Sequence, residues 1–174
     1  TYEQAEKACN VEGKTLCDAT EWAFACEGRK TWPYPHGLER KAGACNVDRP
    51  EAARSDLRSV KAADLPARLA RLDGRTSSGA RPRCSSPFSV GDTTGNVAEW
   101  VHDPDSRAAG LPRSVAGGHF GLGEATCRTK APRVARGYRD HRVGFRCCSR
   151  ARDGKPRRRL LPSGVRLSQS RKLL

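Results

Sequence analysis

The chain has 174 residues, a formal net charge of +14, eight cysteines and no methionine. A single domain of this length buries roughly two-thirds of its unfolded surface, and every apolar run falls short of the ~18 residues a membrane span requires. So many cysteines argue for an oxidised, extracytoplasmic domain, and zinc is disfavoured because no C-x-x-C pair occurs.

The charge is uneven. Residues 150–174 contain nine Lys/Arg and one Asp, which leaves only +6 for residues 1–149. We read residues 150–174, with Pro156, Pro162 and Gly164, as a basic disordered tail and residues 1–149 as the domain. A solvated tail fits this composition; nucleic-acid binding through it is the alternative. The chain opens on Thr1 without a signal-peptide pattern, so the export that disulfides imply leads us to expect a missing N-terminal portion.

The first predicted element is a helix in "TYEQAEKAC", with Tyr2, Ala5 and Cys9 on one face and Gly13 as its stop. In "LCDATEWAFACEG", Asp18 and Glu21 stand at capping-box spacing, where each carboxylate accepts from an amide the helix leaves unpaired. Trp22, Ala25 and Cys26 are the expected inner face, with Gly28 as the left-handed stop. "TWPYPHG" is too rich in proline for a helix or central strand and is expected to be an ordered loop with aromatic anchors.

From Asp48 to Gly74 the composition shifts to Ala and Arg. Leu65, Leu69 and Leu72, with Pro66 near the start, predict an inserted surface helix. "RTSSGARPRCSSP" reads as loop. Beyond it the short runs "FSV", "AEWV", "RSVAGGHF" and "RVGFRCC" alternate with turns, which suits a small, irregular α+β domain without internal repeats. Trp22, Trp100 and Phe145 are core candidates.

The ordered set "GKTLCDATEWAFACEG", "WPYPHG", "ACN", "SPFSVGDTTGNVAEWVHD", "RSVAGGHF" and "HRVGFRCC" resembles the formylglycine-generating enzymes, or sulfatase-modifying factors, over about Tyr2 to Cys148. The resemblance implies a C-type-lectin-like variant fold with little regular secondary structure, structural calcium and disulfides. By position it implies Cys9–Cys147 and Cys26–Cys127. The remaining pairs, Cys45–Cys84 and Cys17–Cys148, follow by elimination and by similarity to cysteine-rich relatives.

Oxidases of this family convert a sulfatase cysteine to formylglycine with oxygen and copper(I). They hold the metal with two thiols just after the glycine turn, because soft thiolates suit copper(I). Here that stretch is "GGHFGLGEATCRTKAPR": His119 replaces the turn serine and Cys127 is the only thiol, one that a disulfide is expected to claim. The expectation is therefore a binding or scaffold module for a peptide or protein ligand, lacking the copper pair. An active oxidase is the alternative. In that alternative Cys127 is the sole catalytic candidate, with Arg128 and Lys130 able to lower its pKa. His119 with His102 or His141 would suggest iron, as in related ergothioneine-pathway enzymes, against the plainer reading of packing or surface histidines.

In "GDTTGNVAEW", Asp92 and Glu99 offer carboxylates and Gly95 and Val97 offer carbonyls, a set of hard oxygens on a curved segment that suits calcium. The same residues also suit a turn whose carboxylates cap backbone amides. A second calcium set implied by the resemblance would use Asn46 and the Val47 carbonyl; Asp73 matches its third ligand badly because the Ala/Arg-rich insertion intervenes. Arg133, Arg136, Arg139 and Arg146 are candidates for an anion cleft or for ordinary ion pairs.

Overall fold

The computed structural model describes residues 1–49, 60–106, 113–131, 134–135 and 137–149. The predicted basic tail therefore lies outside the described residues, as do Arg133 and Arg136. Among the described residues no helix is long and apolar enough to cross a membrane.

Helix α1 spans Tyr2–Val11, and Thr1 opens it with a capping box completed by Gln4. Its inner face is Tyr2, Ala5 and Cys9, as the spacing predicts, and it packs on Leu16, Trp100, Val115 and Cys147. Gly13, at φ +67°, turns the chain into β1 (Thr15–Leu16). Helix α2 (Ala19–Glu27) begins with the expected box: the Thr20 amide donates to Asp18 Oδ1 at 2.9 Å, and the Asp18 amide donates to Glu21 Oε2 at 3.0 Å. Its buried residues are Trp22, Cys26 and Glu27. This corrects the predicted inner face, since Ala25 is only half-buried. Glu27 takes a buried place because Arg128, 101 residues further along the chain, neutralises it.

"TWPYPHG" is the loop it was expected to be, with Tyr34 stacked on His36. Helix α3 (Leu65–Leu72) carries Pro66 in its first turn and buries no residue, in keeping with an inserted surface helix.

The main sheet has four strands in the order β4-β3-β2-β5. These are β2 (Ala98–His102), β3 (Arg113–Ala116), β4 (Lys130–Ala131) and β5 (Val143–Phe145). β2 runs antiparallel to β3 and parallel to β5, and β3 runs antiparallel to β4. "FSV" forms no strand; Ser85 and Gly91 bridge instead, closing a turn in which Ser89 has φ +59°. Trp22 and Trp100 are buried, and Phe145 is half-buried against the core.

β6 (Cys147–Cys148) pairs with β1, Leu16 opposite Cys147 and Thr15 opposite Cys148. Successive strand residues face opposite ways, so the adjacent cysteines serve two partners: Cys147 joins Cys9 and Cys148 joins Cys17. With Cys26–Cys127 and Cys45–Cys84, all eight cysteines are paired, Cys9–Cys147 and Cys26–Cys127 as the resemblance implies and the other two as elimination and the cysteine-rich relatives suggest. The domain is thus a mixture of small helices and sheets held by four disulfides.

Candidate functional site

Cys127 ends the glycine-rich turn that follows β3. Its sulfur is bonded to Cys26 near the end of α2, both residues are essentially inaccessible, and no free thiol remains among the eight cysteines. Beside the disulfide runs a parallel ion pair. Arg128 Nε donates to Glu27 Oε1 at 2.6 Å, so neighbouring residues link the same two segments twice.

The turn itself depends on Gly117. At φ +84°, a Cβ there would lie 2.7 Å from the Thr93 carbonyl oxygen and 2.8 Å from Trp22 Cζ2. The missing side chain lets Gly117 accept from the Gly95 amide at 2.8 Å, which docks the "GGHF" turn on the "GDTTGN" loop.

Next to the disulfide lies a groove of about 230 Å³. Ala19, Trp22, Ala23, Ala116 and Cys127 give it apolar walls, while Thr20, Asp103, Asp105, Arg128, Thr129 and Lys130 supply polar groups. Asp103 is 1% exposed and accepts from Ser114 Oγ at 2.5 Å and Lys130 Nζ at 2.8 Å. Burial opposes its charge, but these two bonds outweigh that and hold its carboxyl below the usual range. Asp103 was not singled out in the sequence, and Lys130 only as a cationic neighbour of Cys127. The only signal was a charged pair flanking two apolar runs, which does not reveal that the runs become adjacent strands.

The first calcium set is poorly suited to a cation. Glu99 Oε2 accepts from Trp22 Nε1 and Arg146 Nε, both at 2.8 Å, and Oε1 accepts from Arg146 Nη2 at 2.9 Å. Arg146 also donates to the Gly91 carbonyl at 3.0 Å, so its buried guanidinium already brings positive charge to this loop. Asp92 accepts from the Gly79 amide at 2.7 Å. Burial pushes its carboxyl up, partly opposed by that bond and by Arg146.

In the second set one buried oxygen stands open. Asn46 is 2% exposed and its Oδ1 accepts no hydrogen bond, while its Nδ2 donates to the Gly74 carbonyl at 2.8 Å and to Asn96 Oδ1 at 3.1 Å. Asp73 directly precedes Gly74, so the chain returns to Asn46 after the insertion. Arg75 holds the Asp73 carboxylate through Nε and Nη2, both at 2.7 Å. Asn96, at φ +60°, organises these loops, a role the "GN" step allowed because Asn tolerates that conformation. No cluster of three or more His, Cys, Asp or Glu suited to a metal occurs among the described residues.

The histidines do not converge as a set. His102 meets the Tyr2 hydroxyl at 3.2 Å, whereas His119 and His141 both rest on the buried Phe120 ring, with centroids 5.8 and 6.0 Å away. Burial, reinforced by Arg142, pushes His119 below its ordinary value; burial does the same at His141. Of the candidate anion cleft, Arg146 is spent on Glu99 and Arg139 is an exposed loop residue, while Arg133 and Arg136 lie outside the described residues.

No curated protein matches this sequence. The family model described as the sulfatase-modifying factor enzyme 1-like domain matches residues 1–151, which include both helices that carry cysteines, the whole sheet and the groove. With this match over most of its length, the chain belongs to the sulfatase-modifying factor family of formylglycine-generating-enzyme-type domains.

Proposed function

We propose that this domain is a non-catalytic binding module of its family, with a C-type-lectin-like variant fold, and that it takes a peptide segment of a partner protein in the groove beside Cys26–Cys127. One observation carries the reading: Cys127 is bonded to Cys26, and every other cysteine is also in a disulfide. A disulfide sulfur carries no thiolate charge, and thiolates are what bind copper(I) tightly. The same bonds favour work in an oxidising compartment outside the cytoplasm.

Calcium is part of the proposal only at Asn46 and the Val47 carbonyl, because Arg75 already holds the Asp73 carboxylate as Arg146 holds that of Glu99. Asn46 Oδ1 is a buried oxygen without a protein partner, and a hard oxygen of that kind suits calcium. Adding calcium should raise the unfolding temperature, chelation should reverse this, and Asn46→Leu should abolish the shift.

Thiol counting of the unreduced, denatured protein should find none. Peptides retained by the native domain should be lost when Ala23→Trp fills the groove. An oxidase is the competing reading, favoured by one fact: reduction would release Cys26 and Cys127 side by side, their Cα atoms 5.5 Å apart beside the groove. Copper(I) binding with oxygen consumption on a cysteine peptide would establish that reading instead. Binding to DNA that falls with salt and disappears on deletion of residues 150–174 would point to the tail.

A further inference from the structure

We infer that the groove receives an extended, acidic peptide that adds as a strand to the outer edge of β4, an inference that rests on the peptide-binding reading above. β4 ends the sheet order β4-β3-β2-β5, so among the described residues no strand pairs with its outer side. The ladder fixes which backbone groups point there. Gly117 donates to the Thr129 carbonyl at 2.9 Å, and the register sets Ala116 opposite Lys130 and Val115 opposite Ala131. In an antiparallel ladder, bonded and non-bonded pairs alternate. Thr129 and Ala131 therefore face β3, and Lys130 turns its N–H and C=O outward.

A peptide residue that exchanges both bonds with Lys130 has its side chain on the same face of the sheet as Lys130 and Ala116, both of which line the groove. The apolar wall there, with about 230 Å³ of space, suits one or two apolar side chains.

The charge preference comes from the two ion pairs at the rim. In each, the acid is buried and the base is exposed. Arg128 is 69% exposed against 10% for Glu27, and Lys130 is 40% exposed against 2% for Asp103. Each pair thus shows solvent its positive end, and of the acids lining the groove only Asp105 is exposed. Carboxylates two residues to either side of an apolar residue, and so on the same face of the added strand, complement this rim.

The test is fluorescence anisotropy with a short labelled Ser-Glu-Ser-Val-Ser-Glu-Ser peptide (the Glu/Val peptide), its Lys/Val counterpart with lysine in place of glutamate, and a Glu/Val peptide N-methylated at its Val and Glu residues. The Glu/Val peptide should bind and the Lys/Val peptide should not. N-methylation removes the peptide N–H that donates to the Lys130 carbonyl and should make that peptide about tenfold weaker. Lys130→Pro removes the outward N–H without touching a bond to β3 and should weaken binding by a similar factor. Lys130→Gln should cost only the part of affinity that vanishes at high salt. Equal affinity for the N-methylated peptide would overturn strand addition even if Lys130→Pro fails to fold. If Ala23→Trp abolishes binding while N-methylation has no effect, the groove reading stands and the strand falls. If neither the Glu/Val peptide nor its counterpart binds, the inference is overturned, whereas the groove reading is still judged by the retained peptides.

Discussion

Glu99→Ala is the most informative single perturbation, because the Glu99 carboxylate is 6% exposed and serves two buried donors, Arg146 and the Trp22 indole. Removing one partner of a buried ion pair costs about 3–5 kcal/mol, since the remaining charge stays desolvated. The orphaned indole N–H places the expected loss toward the top of that range. Domains of this size hold about 5–15 kcal/mol, so the loss is a third of the stability or more. A double variant, Glu99→Ala with Arg146→Met, leaves no unpaired charge and should recover at least half of it. The assay is urea unfolding near neutral pH with disulfides intact, read as the midpoint shift at constant slope. The gap between Glu99→Ala and the parent should be the same in calcium and in chelator, because Arg146 rather than a metal neutralises Glu99. A single variant within about 1 kcal/mol of the parent, or a double no better than the single, would refute the reasoning.

Four further outcomes are expected. Gly117→Ala, forced to φ +84° against Thr93 and Trp22, should lose about 3 kcal/mol and loosen the "GGHF" turn, measurable as faster amide exchange at Gly95. At Asp140 burial favours the neutral acid, but the Arg142 hydrogen bonds prevail and hold the carboxyl at about 2. Its folded-state pKa is depressed, so its contribution of about 2 kcal/mol is full above pH ~4 and lost as pH falls toward 2; Asp140→Asn should flatten that limb. His119 and His141 are also depressed, so stability should begin to fall as pH drops below about 6.5, a step that a double substitution to Gln should remove. Cys45→Ser with Cys84→Ser opens a crosslink across a sequence separation of 39 residues and should cost about 3–4 kcal/mol, seen as a lower unfolding temperature.

The sequence by itself determined whatever depends on near neighbours. The capping box at Asp18 and Glu21, the Tyr2–Ala5–Cys9 face, the glycine stop at Gly28 and the leucine stripe of α3 each involve residues within two turns of one another, where spacing maps directly onto geometry. The ordered motifs also carried the family, and with it two of the four disulfide pairs by position. Only the tertiary structure decided the rest. Lys130–Ala131 is too short to show a period, and it becomes a strand only because β3 lies beside it. Glu99 offers a calcium-type carboxylate in the sequence, whereas in the fold Arg146, the residue just after β5, comes across 47 residues to pair with it. The buried acids and exposed bases that rim the groove arise when disulfides 101 to 138 residues long draw α1, α2 and the "GGHF" turn onto one sheet. Such pairings depend on how the whole chain closes, and local composition holds no record of that closure.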